Sequence, residues 1–193
     1  MTLEEAKALV KSRLSEKRYR HTMNVKKMAV KLAVRYGADP EKAALAAILH
    51  DSAKELPLEE MLQIFADNDI IAKNAAERPA PVWHGIAAAI LCQTRWGVTD
   101  PEILSAIACH TTGKPGMSLL DKIIYMADMT SAERDYPGVE ALREEEFEDL
   151  DMALLHALKR TIDFVKEKGG RLDDQSVAAY EDLCAQLGAR AQQ

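Results

Sequence analysis

A histidine and an aspartate stand side by side at the end of the most apolar stretch of the chain. Seven apolar residues, 43–49, run directly into His50 and Asp51. Burying an imidazole and a carboxylate together is costly unless a partner compensates them. A divalent metal is such a partner, because neutral imidazole and carboxylate are both good ligands for one. The doublet alone is equally compatible with a helix that ends in a polar turn.

The other histidines favour the metal interpretation. Four of the five fall at or near the ends of predicted helices, in apolar surroundings: His21, His50, His84 and His110. Asp128 follows the apolar face of another predicted helix. Each histidine taken singly is typical of a buried core residue, but together they can enclose one site inside a helical bundle. His156 has no obvious ligand partner, and we interpret it as a structural or surface residue.

The elements that carry these residues are predicted to be helices. Aromatic residues make up only 5% of the chain, and no alternating strand pattern persists. Capping patterns predict helix starts after Thr2, Asp39, Asp100 and Ser118, and another helix is predicted to start near Ser15. We therefore expect an all-α fold, a helical bundle with the metal site at its centre.

Three segments carry specific expectations. The helix of the doublet is predicted to run from Pro40 to about Lys54. Neighbouring helix positions face different directions, so His50 and Asp51 reach one ion only if it lies between them or the helix loosens there. Residues 68–81 are polar and broken, which predicts a short helix and loops. The acidic run Glu144–Glu148 is interpreted as a solvated face before a long helix from about Asp149 to Lys168.

Composition narrows the class of protein. The net charge of −6 argues against binding nucleic acid through a basic surface, and 48% hydrophobic residues allow a sizeable core. The three cysteines, Cys92, Cys109 and Cys184, form no CxxC motif, which fits a reducing cytoplasm rather than a disulfide framework. The N-terminus shows no signal pattern, and no apolar run approaches the roughly 20 residues of a membrane span. We expect a cytoplasmic protein without a membrane partner.

The ordered motifs resemble the YqeK family of HD-domain metal-dependent phosphohydrolases. His21, the His50–Asp51 doublet and Asp128 match the H…HD…D signature of HD domains. The doublet alone is a weak signal, but the motifs around it are specific to the family. They are residues 18–22 (RYRHT), 47–54 (AILHDSAK), 84–85 (HG), 110–113 (HTTG), 127–129 (ADM) and 131–139 (SAERDYPGV).

The resemblance implies a fold, an activity and a metal. It covers a motif-bearing core of about residues 14–176, within a single HD domain over 1–193 whose first and last helices are extensions. Members of the family are symmetrical dinucleoside tetraphosphatases, which split diadenosine tetraphosphate into two ADP, with iron as the metal. The implied partner is thus a small nucleotide, and a homodimer is left open. The number of ions, one or two, also stays open, with a preference for one tightly held ion.

The family motifs also assign residues. His21, His50, Asp51 and Asp128 would hold the metal, whereas His84 and His110 would face the phosphates or complete a second metal site. The implied nucleotide contacts are Arg18, His21, His84, His110, Asp128, Arg134 and the segment Arg171, Leu172, Asp173, Asp174, Gln175 and Ser176. We take His84, His110, Lys54 and Arg134 as the candidate catalytic residues.

Cations near the ligands suit a polyphosphate substrate. Lys54 follows His50 by one helical turn, Lys114 follows His110 by four residues, and Arg134 follows Asp128 by six. Arginine binds phosphate in a forked geometry, and a metal activates water and polarises phosphoryl oxygen. A donor set of nitrogen and oxygen suits iron, manganese, zinc or cobalt. Three alternatives remain: another nucleotide or alarmone hydrolase, a di-iron oxygenase, and a nucleotide-binding regulatory module.

Overall fold

The computed structural model describes residues 1–68, 72 and 74–190, and these residues form an all-helical bundle. They contain ten α-helices, two 3₁₀ turns and no strand. The helices are α1 (Leu3–Arg13), α2 (Glu16–Tyr36), α3 (Pro40–Leu49), α4 (Leu58–Asp67), α5 (Trp83–Thr94), α6 (Pro101–Cys109), α7 (Leu119–Thr130), α8 (Val139–Glu148), α9 (Leu150–Glu167) and α10 (Asp174–Arg190). The predicted fold class is confirmed.

Side-chain caps explain where the central helices begin. Asp39 and Asp100 each accept hydrogen bonds from two main-chain N–H groups of the following turn, and each is followed by proline at the first helical position. Ser15 caps α2, and Ser118 forms a capping box with Asp121 at the start of α7. These signals are local in sequence, so the starts of these helices were predictable.

Four helices form the centre of the bundle. Helix α2 packs against α3 and α7, and α6 packs against α3, α5 and α7. Helix α1 lies on α3, α4 lies on α5, α8 and α9 pack against α7, and α10 packs against α9. None of the helices in the described part of the chain is long and apolar enough to cross a membrane.

Helix α3 ends five residues earlier than predicted. It stops at Leu49, and short i→i+3 bonds continue the chain, from Ser52 N–H to Leu49 O at 3.0 Å and from Lys54 N–H to Asp51 O at 2.9 Å. The ring Nδ1 of His50 lies 2.7 Å from Ala47 O, the carbonyl that Asp51 N–H would need to extend the α-helix. The regular α-helix therefore ends before His50, and the different backbone geometry of the following turn lets both His50 and Asp51 face the bundle interior.

The acidic run 144–148 is not wholly a solvated face, so that prediction was wrong. The run lies in α8, where Glu146 is 0% exposed, while Glu144 and Glu148 are exposed. Glu146 follows the buried Leu142 by one helical turn and therefore shares its inward face. In the predicted broken segment, 75–77 and 80–82 are 3₁₀ turns, and residues 69–71 and 73 lie outside the described residues.

Candidate metal centre

Asp51 lies at the middle of a buried cluster of histidines. The residue is 3% exposed, and its two carboxylate oxygens face different pairs of rings. Oδ2 lies 3.5 Å from Nε2 of His21 and 3.5 Å from Nε2 of His50. Oδ1 lies 3.3 Å from Nε2 of His84 and 3.6 Å from Nε2 of His110. One carboxylate therefore sits between two histidine pairs.

Main-chain carbonyls set the tautomers of three of these rings. Nδ1 of His50, His84 and His110 lies within hydrogen-bond distance of a carbonyl oxygen three residues earlier. The three acceptors are Ala47 O at 2.7 Å, Pro81 O at 3.0 Å and Ile107 O at 2.8 Å. A carbonyl only accepts, so Nδ1 carries the proton and Nε2 keeps its lone pair for a ligand.

His21 is held from outside by an acidic residue that the sequence reasoning missed. Its Nδ1 bonds to Glu133 Oε1. Asn24 and Ser131 donate to the same carboxylate at 2.7 Å each. Glu133 was visible only as part of the 131–139 motif, and nothing in its local pattern indicated a role. Its position matches the outer carboxylate that commonly orients a metal-ligating histidine.

Asp128 closes the cluster on the α7 side. Its Oδ1 lies 3.1 Å from Nε2 of His21, and Arg134 forms an ion pair with the carboxylate. Nε of Arg134 also donates to the main-chain oxygen of Asp128 at 2.8 Å. Burial alone would raise the pKa of Asp128, but the hydrogen bond from His21 and the charge of Arg134 hold it well below its usual range. Asp128 is therefore an anion.

The donors present fit a divalent metal. Three overlapping groups each bring three ligand atoms within 4.8 Å of one another: His21, His50 and Asp51; His50, His110 and Asp128; and Asp51, His84 and His110. Nε2 of the fully buried His50 has no hydrogen-bond partner among the described residues, a cost that a bound cation removes. The chemistry of the donor set, imidazole nitrogen with carboxylate oxygen, suits a first-row transition metal.

The ionisation states of the rings support this assignment. Burial lowers the pKa of His50 and of His84 to about 4, so both rings are neutral near pH 7, as metal ligands must be. Burial also lowers the pKa of His21, but its contacts with Asp128 and Glu133 outweigh that effect and raise it overall. A divalent metal would take the place of the proton between Nε2 of His21 and Asp128, because it also carries positive charge, while Nδ1 keeps its bond to Glu133.

Three cations contact the cluster directly. Nη1 of Arg18 lies 2.9 Å from Oδ2 of Asp51, and Arg134 pairs with Asp128. Nζ of Lys54 lies 3.3 Å from each ring nitrogen of His84. Burial lowers the pKa of Lys54, and the charge of Asp51 opposes that shift. The structure thus brings the predicted cations Arg18, Lys54 and Arg134 to the same place as the predicted ligands.

A cavity of about 690 Å³ is lined by residues that neighbour His84 and His110 in the chain, although none of the cluster ligands is part of its lining. Five residues of the predicted nucleotide segment line it: Arg171, Leu172, Asp173, Asp174 and Gln175. Its inner wall includes Cys109, Thr112 and Gly113, which flank His110 in the chain. The sixth residue, Ser176, is 3% exposed and is not part of the lining; its N–H donates to Asp173 O at 3.0 Å. We call this space the 171–175 cavity.

Arg78 also lines this cavity and was missed by the sequence reasoning. Its Nε and Nη2 donate to the two carboxylate oxygens of Asp173, both at 2.7 Å. Nη2 also lies 3.3 Å from Oγ1 of Thr112. The fork ties the segment before α5 to the segment before α10, which are distant in sequence. No local motif marks Arg78, so only the folded chain could reveal it.

Two further predicted positions are assigned by their contacts. Lys114 lines the 171–175 cavity, but it lies 3.3 Å from the fully buried carboxylate of Asp121 and donates to Ser105 at 2.6 Å. The main contact of Lys114 is therefore the ion pair with the buried Asp121 carboxylate. The His156 side chain is 53% exposed and contacts Glu145 at 2.8 Å, away from the cluster, which agrees with its interpretation as a surface residue.

A second cavity, of about 470 Å³, lies on the His21 side of the cluster. Its lining consists of Ser15, Lys17, Arg18, His21, Glu55, Glu133 and Arg134. We call it the Arg18 cavity. Both cavities fall within the usual range of small-ligand pockets, ~300–1,000 Å³.

A helical bundle that encloses a His–Asp cluster defines a class of metal-dependent hydrolase folds. The chain belongs to the HD domain family, whose model matches residues 18–133. It is 46% identical to the symmetrical bis(5'-nucleosyl)-tetraphosphatase of Bacillus subtilis, with 95% of this chain and 98% of that protein covered. It is 38% identical to the enzyme of the same name from Halalkalibacterium halodurans, with 95% and 97% covered.

A solved structure gives the same picture of the fold. The crystal structure of a predicted HD superfamily hydrolase involved in NAD metabolism, from Clostridium acetobutylicum, matches with a TM-score of 0.91. The two chains are 39% identical, and the match covers 96% of this chain and 98% of the other. The family resemblance that the motifs predicted is therefore confirmed.

Proposed function

We propose that this protein is a metal-dependent hydrolase that cleaves dinucleoside tetraphosphates symmetrically, turning diadenosine tetraphosphate into two ADP. The observation that carries the proposal is the position of Asp51, whose two oxygens are shared between two histidine pairs while Arg18 contacts the same carboxylate. Relatives of nearly the same length with this activity in their names support the choice of substrate.

The cluster would hold the metal through His21, His50, Asp51 and Asp128. Because Oδ1 of Asp51 also faces His84 and His110, these two rings are better suited to a second ion than to phosphate contacts alone. A bound divalent metal supplies a Lewis acid for phosphoryl oxygen and a water of lowered pKa. The two-sided position of Asp51 favours two ions over the single ion preferred from the sequence.

The cations would bind and orient the polyphosphate. Arg18 and Arg134 hold Asp51 and Asp128, and both line a cavity, so their guanidinium groups stand where phosphate oxygens would enter. Lys54 sits against His84 and adds a third positive charge. Charge-assisted hydrogen bonds from these groups stabilise the negative charge of a tetraphosphate and of its transition state. This cationic rim favours a polyphosphate substrate over the oxygenase alternative.

The nucleoside would lie in the 171–175 cavity. Arg78 and Asp173 form one wall, and Gln175 and Asp174 offer polar groups to a base or ribose. Of the segment assigned from the family, we propose the five lining residues as contacts and Ser176 as a support for the turn. We further propose that the metal is iron and that the whole chain forms one domain. We also propose a cytoplasmic site of action, which the three free cysteines support.

Product analysis tests the proposal. Metal-loaded protein is incubated with diadenosine tetraphosphate, without oxygen, and the nucleotides are separated by chromatography while the metal content is measured. ADP as the only nucleotide product is expected, with loss of turnover in Asp51→Ala and normal turnover in His156→Ala. Equal amounts of AMP and ATP would refute symmetrical cleavage. A requirement for oxygen would favour the oxygenase alternative, and tight binding without turnover would favour the regulatory module.

A further inference from the structure

The two cavities lie near different histidines of the cluster. The 171–175 cavity is near His110, whose ring faces Oδ1, because Cys109 and Thr112 on either side of His110 in the chain line it. The Arg18 cavity adjoins the side of Oδ2, because His21 and Arg18 themselves line it. A ligand held at the cluster by its centre would need one such space for each of its two ends.

The proposed substrate has two identical halves. Cleavage at its centre breaks the bond between the second and third phosphorus atoms, so that central bond must lie at the cluster. Each half then carries a nucleoside and two phosphates away from the cluster, in different directions. The 171–175 cavity offers space for one nucleoside. The other half requires polar, open space on the far side of Asp51.

The Arg18 cavity has the chemistry for such a half. Its inner end carries the guanidinium groups of Arg18 and Arg134, which suit phosphate oxygens. Its outer end carries Lys17, Ser15 and Glu55, and Glu55 accepts hydrogen bonds from the N–H and hydroxyl of Ser15 at 2.6 and 2.7 Å. An amine and a fixed carboxylate can pair with the hydroxyls of a ribose or the polar edge of a base.

We propose that the Arg18 cavity is a second nucleotide subsite, which holds one nucleoside 5'-diphosphate half of the substrate while the 171–175 cavity holds the other. The inference rests on the proposed function, since it assumes a substrate with two nucleotide halves. It assigns binding roles to Lys17, Ser15 and Glu55, which no motif of the chain indicates.

Counting bound ADP tests the second subsite. Calorimetric titration of the metal-loaded protein with ADP should give two ADP per chain in the wild type. Lys17→Glu reverses an exposed charge in the Arg18 cavity and should leave one, and Arg171→Glu should do the same from the other cavity. Lys27→Glu is the matched control, because Lys27 is an exposed lysine of the same helix that lines neither cavity, and it should keep two.

Kinetics provide the second readout. Lys17→Glu should raise the KM for diadenosine tetraphosphate roughly tenfold with a smaller change in kcat, because it touches the outer end of a bound half rather than the reacting atoms. A wild-type protein that binds one ADP, or a Lys17→Glu protein that still binds two, would overturn the inference. If wild-type protein makes ADP but binds only one, the second subsite fails alone. If it makes no ADP, the proposed function itself fails.

Discussion

At the scale of single residues, the sequence revealed the ligands better than the groups that hold them. The four histidines and two aspartates were predicted from motif and spacing, and the structure brings all six together. Glu133 and Arg78 were not predicted, because their partners His21 and Asp173 lie 112 and 95 residues away in the chain. Pairs of this kind arise only from tertiary packing, and no helical or capping pattern encodes them.

Glu133 should control metal affinity without being a ligand. Its carboxylate fixes the ring of His21, and removing an outer partner of this kind typically costs 10–100-fold in metal affinity. We therefore expect Glu133→Ala to weaken binding by about that factor in a chelator competition. Glu133→Gln, which still offers an oxygen to Nδ1, should recover most of the affinity.

The control for this change is Glu140→Ala, because Glu140 is an exposed glutamate whose ion pair is with Arg143 and not with His21. It should bind metal as tightly as the wild type. A Glu133→Ala protein with unchanged affinity would show that the ring of His21 is oriented by its other neighbours.

At the scale of elements, helix starts were predictable and one critical end was not. Capping side chains act within a turn of their own position, so α2, α3, α6 and α7 begin as predicted. The end of α3 depends on the ring of His50, which takes the carbonyl that the next helical bond needs. That ring is held there by the buried cluster, and the cluster exists only in the folded chain.

A close helix contact at Gly85 should be needed for the pair His84 and His110. A β-carbon at Gly85 would lie 3.1 Å from Ile107 O and 3.2 Å from Cε1 of His110. Gly85→Ala should therefore push α5 away from the end of α6 and separate the two rings. We expect the protein to stay folded but to hold about one ion per chain fewer, measured by elemental analysis beside circular dichroism.

Gly188→Ala is the matched control, since a β-carbon there meets nothing within 4 Å and the position lies in a helix. Its metal content should equal that of the wild type. Unchanged metal content in Gly85→Ala would mean that the bundle absorbs the extra methyl group without moving the rings.

Glu146 should make the protein less stable as the pH rises. Burial raises its pKa from 4.5 to about 8. Oγ1 of Thr130 lies 2.7 Å from Met126 O and 2.8 Å from Oε2 of Glu146, so a protonated carboxyl supplies the second proton that these contacts need. Between pH 4.5 and 8 the folded chain holds a proton that the unfolded chain has lost, so the free energy of unfolding decreases as the pH rises through this range.

The substitution Glu146→Gln removes this titration. At pH 8 the variant should be more stable than the wild type by on the order of a few kcal/mol, and near pH 4.5 the two should converge. Urea unfolding at both pH values measures the difference. Glu144→Gln, an exposed neighbour on the same helix, should leave the pH dependence unchanged. Parallel pH profiles for wild type and Glu146→Gln would contradict the buried, protonated state.

At the scale of the whole molecule, the all-α architecture was predicted and the two cavities were not. Helical periodicity and caps define the bundle, but a cavity depends on how loops such as 74–79 and 171–173 lie across helix ends. The family motifs indicated single nucleotide contacts such as Arg18 and Arg134, but the Arg18 cavity forms only where the start of α2 meets residues 133–134 in the folded chain.

Metal should stabilise the whole fold. The ligands come from α2, α5, α7 and the turns after α3 and α6, so one site ties together most of the central bundle. A ligand at about 100 times its Kd adds about 2.7 kcal/mol to the free energy of unfolding. We expect Tm to fall when the metal is removed by a chelator, and Asp51→Ala to lose this dependence. The Tm of His156→Ala should still depend on the metal. A wild-type Tm that is the same with and without metal would contradict this coupling.

The long separation of His21 from Glu133 also bears on how the protein is made. Their separation of 112 positions means that a growing polypeptide on the ribosome carries His21, His50 and Asp51 long before Asp128 and Glu133 exist. Joining such distant points also costs loop-closure entropy, which only the packed helices offset. The five donors that precede α7 in the chain lack both the Asp128 carboxylate and the bond from Glu133 to His21, so the complete site forms only after α7 and Glu133 have been synthesised.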